Sequence, residues 1–185
     1  GIEAGVRGEL LEDALPGWLG PLGIGDEHLA RVRVFASDAV EAPAASGTSL
    51  TGGVIVAPCS MGTLARVTAG FSSNLVERAA DVALKEGRRL VLMPRETPLS
   101  EIHLENMLRA VRLGAIVLPC MPGFYHLPKS VDDLVAHVVG KTLDRIGVEQ
   151  SVGARWQGFD EPDGDPGTQP PEAGSPAAPE AGGSS

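Results

Sequence analysis

Aromatic residues, cysteines and long apolar runs are all scarce in this chain of 185 residues. Aromatic side chains make up only 4% of it, so we expect aliphatic strands and alanine-rich helices to build the core. Two cysteines are too few for a disulfide framework, which suits a reducing cytoplasm. No apolar run approaches the roughly 18 residues that span a bilayer, and no signal-peptide pattern is present.

Positive charge is also in short supply. The chain has 15 Lys and Arg residues against 24 Asp and Glu, a formal net charge of −9. This excess of acid argues against nucleic acid or an anionic membrane as the main partner. The residues after Phe159 are mostly Pro, Gly, Ala, Ser and acid, with no large apolar side chain. We therefore expect residues 1–158 to form one folded domain and residues 159–185 to form a disordered acidic tail.

Short apolar runs alternate with helical patterns after residue 30. Continuous apolar runs are typical of strands covered on both faces, as in parallel sheets. The alternation predicts an α/β fold, a Rossmann-like or flavodoxin-like doubly wound parallel sheet in three layers. Residues 1–30 are expected to form a helix followed by a Pro/Gly-rich link. The predicted strands span residues 32–36, 52–58, 89–94 and 115–119, and the predicted helices span residues 72–87, 100–114 and 130–147.

The helical patterns also predict the helix ends and the side chains that face the core. Glycines 87, 114 and 147 are placed to end the three helices. Ser130 and Asp133 have the spacing of a capping box at the start of the third. The residues expected to face the core are Leu75, Ala79 and Ala83 in the first helix and Ile102, Met107 and Val111 in the second.

Three of the predicted strands end at a proline followed by polar or small residues, in "PCSMGT", "PRETP" and "PCMPGFYH". Ligands of open α/β sheets bind at the carboxyl ends of the strands, so these loops should converge on one site. Ser60, Gly62 and Thr63 offer hydroxyls and backbone N–H groups to an anion or a polar ring edge. For any one loop taken alone, simple termination of the strand explains the residues equally well.

Charged and phenolic side chains near these loops suit a phosphorylated ligand. Arg95 supplies a planar cationic fork for a phosphate or a flavin carbonyl. Glu96 is either its partner or a group that handles protons. Tyr125 offers a phenol on a loop that Gly123 allows to bend.

Other polar residues have simpler explanations. Arg78 and Lys85 share one helix face, where they either bind a ligand or pair with acidic neighbours at positions 77, 81 and 86. Cys59 and Cys120 are expected to be buried, inert thiols. The histidines at positions 28, 103, 126 and 137 are scattered, and no metal site is expected.

Three longer segments together identify a family. They are "PCSMGTLARVTAGFSSNLVERAADVALKE", "LVLMPRETPLSEIHLENMLRAVRLGAIVLP" and "PGFYHLPKSVDDLVAHVVGKTLDRIG". They resemble the UbiX/Pad1 family of flavin prenyltransferases, formerly called 3-polyprenyl-4-hydroxybenzoate decarboxylases. The resemblance runs from about residue 32 to residue 156.

The resemblance implies a homo-oligomeric flavoprotein, commonly a dodecamer, with sites between subunits. It implies a metal-independent transferase that joins the dimethylallyl group of dimethylallyl phosphate to N5 and C6 of reduced FMN. The product, prenylated FMN, would serve a UbiD-type decarboxylase, for example in ubiquinone biosynthesis.

The resemblance also implies roles for individual residues. Ser60, Met61, Gly62, Thr63 and Arg95 would contact the flavin. Glu96 would assist proton transfer, supported by Arg78 and Lys85. The residues implied to hold or cover the prenyl phosphate are Arg95, Lys85, Tyr125, Lys141 and Trp156.

The chain departs from the family at its beginning. Relatives start with a strand and a "G-x-S/T-G-A-S-G" turn for the FMN phosphate, and the sequence here has neither. A glutamate that matters in the family would correspond to Glu9 or Glu12. We therefore expect the flavoprotein domain to be N-terminally incomplete. The alternatives are a flavoprotein of the cysteine-decarboxylase type, which "PCSMGT" and "MPRETP" fit poorly, and an inactive truncated subunit.

Overall fold

The computed structural model describes residue 17 and residues 25–48 and 51–152. Most of the helix and link expected at residues 1–30, with Glu9 and Glu12, lies outside the described residues, and so do Trp156 and the tail expected at residues 159–185. None of the described helices is long and apolar enough to cross a membrane. The elements, in chain order, are α1 (Asp26–Leu29), a 3-10 helix (Pro43–Ala45), β1 (Gly53–Cys59), α2 (Met61–Thr68), α3 (Leu75–Lys85), β2 (Arg89–Pro94), α4 (Glu101–Arg112), β3 (Ile116–Val117) and α5 (Val131–Ile146).

The three described strands form one parallel sheet in the order β1-β2-β3. Val54 pairs with Leu90 across the first ladder, and Val91 pairs with Ile116 across the second. The β1–β2 register shifts between Val56 and Cys59, just before the polar turn that follows β1. The predicted strands at residues 52–58 and 89–94 are confirmed to within one residue at each end.

Side chains from both faces of β2 are buried, because each face has its own helical layer. Leu90 and Leu92 pack into a core shared with α2, α3 and α4. Met93 lies on the alternate face, where its sulfur accepts a hydrogen bond from the Thr142 hydroxyl of α5 at 3.5 Å. Helices therefore cover both sides of the sheet, as the predicted three-layer α/β fold requires.

Polar caps and glycines set the helix ends where the sequence predicts them. Ser130 and Asp133 form a reciprocal capping box at the start of α5. Gly147 ends that helix with a φ of 85°, a left-handed conformation that costs glycine little. Gly87 and Gly114, which follow α3 and α4, also have positive φ angles of 64° and 94°.

Two strand predictions need correction. Residues 32–36 form no strand, and Val32 and Phe35 are exposed. Neither ladder of the described sheet includes this segment. The strand expected at 115–119 is reduced to Ile116–Val117, although the N–H groups of Leu118 and Cys120 still donate to the carbonyls of Leu92 and Pro94.

The predicted inward face of α4 is also wrong in part. Ile102 and Val111 are 65% and 55% exposed, whereas Ala110 is buried and Met107 packs against the core. The helix carries apolar residues on two sides, so the pattern alone allowed two inward faces. Packing against α2 and β3 selects the side of Met107 and Ala110.

Candidate functional site

A cavity of about 730 Å³ opens at the carboxyl ends of the strands. The loops that follow the neighbouring parallel strands β2 and β3 form part of its wall. The backbone N–H of Cys120 donates to the carbonyl of Pro94 at 3.0 Å, which holds these loops side by side. Its lining includes Met61, Pro94, Arg95, Glu96, Met107, Pro119 and Cys120.

The turn at the start of α2 meets this cavity through Met61. Ser60 caps the helix, and its Oγ accepts a hydrogen bond from the Thr63 N–H at 3.1 Å. A Cβ added to Gly62 would lie 3.5 Å from Nη1 of Arg66, so that guanidinium covers the glycine. The structure thus brings Met61, Arg95 and Glu96 together around the cavity, with Ser60, Gly62 and Thr63 on the adjoining turn.

The two cysteines lie at the same end of the sheet. Burial raises the pKa of Cys59 to about 11. Burial also raises the pKa of Cys120, and the charge of Arg95 offsets this in part. Both thiols are therefore protonated at neutral pH, in keeping with the prediction of inert cysteines, although Cys120 is only half-buried.

Tyr125 and Lys141 lie away from the cavity wall, on the loop after β3 and on α5. The Tyr125 ring meets the rings of His126 and His137 edge-on, with centroids 5.5 and 5.7 Å away. Lys141 lines a second groove of about 430 Å³ beside β3. Pro119 lines both the groove and the cavity, so the two spaces are neighbours.

Arg78 and Lys85 line neither of these spaces. The Lys85 ammonium lies 3.1 Å from Oε1 of Glu86, so the surface pairing weighed for this residue is present in the structure. Lys85 precedes the start of β2 and Arg95 follows its end. Six strand residues at roughly 3.3 Å each separate them by about 20 Å. One copy of the chain therefore does not bring Lys85 and Arg95 together.

Glu77 was expected as a surface partner of Arg78 or Lys85, but this is wrong, because it is buried and forms an ion pair with Arg66. Glu77 is fully buried, and its two carboxylate oxygens accept hydrogen bonds from Arg66 and from the Ser73 N–H and hydroxyl. Burial alone would raise the pKa of Glu77, but these hydrogen bonds and the charge of Arg66 lower it to about 2. The one signal in the sequence was the Asn74–Glu77 spacing of a helix cap.

A sequence profile of the Flavoprotein family matches residues 13–143. The chain belongs to this family. The flavin prenyltransferase UbiX of Alkalihalophilus pseudofirmus is 57% identical to it over 115 residues, 62% of this chain and 58% of that protein. The chain likewise spans 58% and 60% of the UbiX proteins of Halalkalibacterium halodurans and Pseudomonas aeruginosa, less than two thirds of their length.

Solved flavoproteins share the fold as well. A crystal structure of AnUbiX (PadA1) in complex with FMN and dimethylallyl pyrophosphate is 44% identical, with a TM-score of 0.68, and the match covers 73% of each chain. The dodecameric FMN-dependent UbiX-like decarboxylase from Escherichia coli O157:H7 is 51% identical, with a TM-score of 0.65, over 72% of this chain and 74% of that one. The resemblance to the UbiX family is therefore confirmed.

The described residues contain no group of three or more His, Cys, Asp or Glu side chains arranged to hold a metal ion. The cavity and its turn fit an organic ligand better. Its volume lies within the usual range for small-molecule sites, roughly 300–1,000 Å³. Apolar Met61 and Met107 suit a flat ring, and Arg95 and the α2 turn suit its polar edge or a phosphate.

Proposed function

We propose that this flavoprotein is a flavin prenyltransferase, which transfers a dimethylallyl group from dimethylallyl phosphate to reduced FMN. The supporting observation is the likeness to the AnUbiX complex, in which a related chain holds both FMN and dimethylallyl pyrophosphate. The convergence of Met61, Arg95 and Glu96 on one cavity agrees with it. The product would be prenylated FMN, for use by a UbiD-type decarboxylase.

In this scheme the cavity and the turn at the start of α2 bind the flavin. When bound, reduced FMN supplies the two nucleophilic atoms, N5 and C6, that receive the dimethylallyl group. Ser60, Gly62 and Thr63 would hold the polar edge of the ring, and Met61 would pack on its face. Arg95 would bind a flavin carbonyl or the prenyl phosphate.

The remaining residues would manage the leaving phosphate and the protons. Cleavage of the allylic C–O bond leaves the electron pair on the phosphate oxygen, so Arg95, Lys85, Tyr125 and Lys141 would stabilise that charge. Glu96 would take the proton lost at N5, return a proton to the prenyl double bond so that C6 can attack it, and take the proton lost at C6, with Arg78 supporting its orientation. Trp156 would cover the prenyl group. In this scheme side-chain cations, and not a metal ion, carry the phosphate.

Such a site would be shared between copies of the chain. Lys85 and Arg95 lie at opposite ends of β2, so both reach one substrate only if two copies contribute. Leu104, Leu108 and Val111 share one face of α4 and are exposed, so this apolar strip would suit a contact between copies. A dodecamer like that of the related Escherichia coli protein is the assembly we propose.

The test begins with an FMN titration of the chain, followed by flavin fluorescence. The protein is then incubated without oxygen with reduced FMN and dimethylallyl phosphate, and the flavin is analysed by mass spectrometry. We expect a flavin that is heavier by one dimethylallyl group.

Arg95→Gln should weaken the binding of FMN or of dimethylallyl phosphate about tenfold or more, because a charge-assisted hydrogen bond to that ligand is lost. Arg112→Gln, on the exposed surface of α4, is the matched control. The proposal is wrong if the chain binds no FMN, and also binds none when a strand and Gly-rich turn of a relative precede it.

A further inference from the structure

The loop of residues 121–130, between β3 and α5, is poorly anchored by apolar burial. Phe124 and Leu127 are both exposed, and Leu127 has a φ of 53°, which is unfavourable for a leucine. The backbone N–H of Leu127 donates to the carbonyl of Phe124, which closes a local turn but does not join it to the rest of the fold. Something else must fix this loop on the domain.

A stack of two imidazole rings joins the loop to α5. The rings of His126 on the loop and His137 on the helix are nearly parallel, at 4°, with centroids 4.7 Å apart. Tyr125 packs its ring edge-on against both. His137 is a buried residue of α5, so rings that pack on it are held against the domain. The stack therefore fixes the position of Tyr125.

The stack is suited to a neutral His137 ring. Both ring nitrogens of His126 are buried, and neither has a hydrogen-bond partner among the described residues. A proton on His137 would place a charge in a buried ring, against the face of His126 and near the Lys141 ammonium. Burial, and then the charges of His126 and Lys141, lower the pKa of His137.

Charged groups around the stack come from both the loop and α5. Lys141 lies one turn beyond His137 and disfavours an added positive charge. Asp133, in the first turn of α5, carries the nearby negative charge, and its Oδ2 accepts hydrogen bonds from the Lys129 and Ser130 N–H groups at 2.8 and 3.1 Å. Burial and the charge of Lys141 both favour the neutral His137 ring.

We propose that His126 and His137 are positioning residues that hold Tyr125 in register with Lys141 while the His137 imidazole is neutral, and release the Tyr125 loop when His137 is protonated in acid. This inference rests on the proposed function in one respect, that Tyr125 and Lys141 serve the prenyl phosphate. His126 is the neighbour of Tyr125 in the chain, and His137 shares a helix face with Lys141. The stack therefore sets the distance between the two phosphate-binding side chains.

The chain itself provides a reporter, because Tyr125 is its single tyrosine. Protein made with 3-fluorotyrosine gives one fluorine-19 resonance, which is followed from about pH 7.5 down to about pH 5, where histidine titrates. The urea-unfolded chain supplies the resonance of a released tyrosine. Circular dichroism over the same range shows whether the helices persist.

Three variants test whether the position of Tyr125 depends on protonation of the stacked His137 ring or only on the packing of a flat ring. In wild type and in His28→Phe, a control on an exposed histidine, we expect the resonance to move towards the released position in acid. His137→Phe keeps a flat ring that takes no proton, so its resonance should stay at the high-pH position throughout. His137→Ala removes the stack, so its resonance should lie near the released position at every pH.

The positioning role is overturned if the wild-type resonance does not respond to acid, or if His137→Phe responds as wild type does. It is also overturned if a folded His137→Ala keeps the wild-type position. Should His137→Ala fail to fold, the comparison of wild type with His137→Phe still decides.

An activity measurement then separates this inference from the proposed function. With FMN-loaded protein, KM for dimethylallyl phosphate should rise several-fold between about pH 7.5 and about pH 6 in wild type, and stay level in His137→Phe. A wild type that transfers no prenyl group but shows the expected fluorine-19 pattern would disprove the prenyltransferase and leave the stack intact. Transfer with a pH-independent KM would overturn the role of the stack in substrate binding.

Discussion

Two polar groups in this fold are withdrawn from water, the Glu77 carboxylate between α2 and α3 and the His126 imidazole over α5, and their surroundings differ sharply. Both oxygens of Glu77 accept hydrogen bonds, from Arg66 and from Ser73. Neither nitrogen of His126 has a partner among the described residues. The Glu77 carboxylate is therefore fully hydrogen-bonded, and the His126 ring makes no hydrogen bond to the described residues.

The difference indicates which part of the site is fixed and which can adjust. Glu77 ties α3 to Arg66 of α2, and so holds the turn of Ser60–Thr63 that we assign to the flavin. A satisfied buried network of this kind is rigid. The loop of Tyr125 depends on a ring stack that carries no hydrogen bonds from His126, so a small change in charge can move it.

The largest change in stability should come from removing Arg66, the cation that pairs with Glu77. Arg66→Ala leaves a fully buried carboxylate without its ion-pair partner, and we expect the free energy of unfolding to fall by about 3 kcal/mol. Urea unfolding followed by circular dichroism measures this. Arg109→Ala, on the exposed face of α4, should change it by less than about 0.5 kcal/mol. Equal losses in the two variants would mean that the Glu77 network does not hold α2 to α3.

Acid should weaken the contributions of Glu77 and of His137 to the free energy of unfolding in different pH ranges. The folded pKa of Glu77 is about 2 against an ordinary 4.5, so its contribution is complete above 4.5 and is lost as pH falls towards 2. This difference corresponds to about 3 kcal/mol. The pKa of His137 is lowered from 6.5, so its contribution is complete above 6.5 and declines as pH falls below that value.

Urea unfolding at a series of pH values tests the order of these windows. Relative to wild type, His137→Phe should remove the decline that begins below about pH 6.5, and Glu77→Gln should remove part of the decline below about pH 4.5. A wild type whose stability is constant from pH 7.5 to 5 would contradict the assignment of the upper window to His137.

The sequence was sufficient for features that depend on local spacing. β2 follows from a continuous apolar run, and the end of α5 follows from Gly147 after a capped helix. It was insufficient where two far segments decide the outcome. Arg66 and Glu77 are 11 residues apart across a loop, and nothing in their spacing selects Arg66 over Arg78 as the partner of Glu77.

The site shows the same limit. Lys85 and Arg95 are close in sequence and share chemistry, yet the straight strand between them places them at opposite ends of the sheet. The stack of His126 on His137 could not be predicted either, since it depends on how the loop after β3 folds back onto α5. Scattered histidines in the sequence become a pair only through that packing.

A smaller change, an increase in stability, is expected when His126 is replaced. His126→Phe keeps the stacked ring and removes two buried nitrogens that lack partners, so it should raise the free energy of unfolding by about 1 kcal/mol at pH 7.5. His28→Phe, at an exposed position, is the control and should change little. A loss of stability in His126→Phe would mean that those nitrogens have a partner beyond the described residues.

The smallest effect concerns Gly62, on the turn that the Glu77 network holds. A Cβ there would make ordinary contacts, 3.5 Å from Nη1 of Arg66 and 3.8 Å from Oγ of Ser60, so Gly62→Ala should stabilise α2 by about 0.5 kcal/mol. Gly140→Ala in α5 is the counterpart, because its Cβ would lie 2.6 Å from the carbonyl oxygen of Val152, and it should destabilise the fold. Thermal unfolding measures both.

The Gly62 variant also separates folding from binding. If Gly62→Ala is more stable yet binds FMN less tightly than wild type, the fold does not require the glycine and the ligand does. If it is more stable and binds FMN equally well, the flavin does not approach this part of the turn, and our assignment of Gly62 to the flavin is wrong. A loss of stability would instead show that Arg66 cannot give way, so the Glu77 network is more rigid than the contacts suggest.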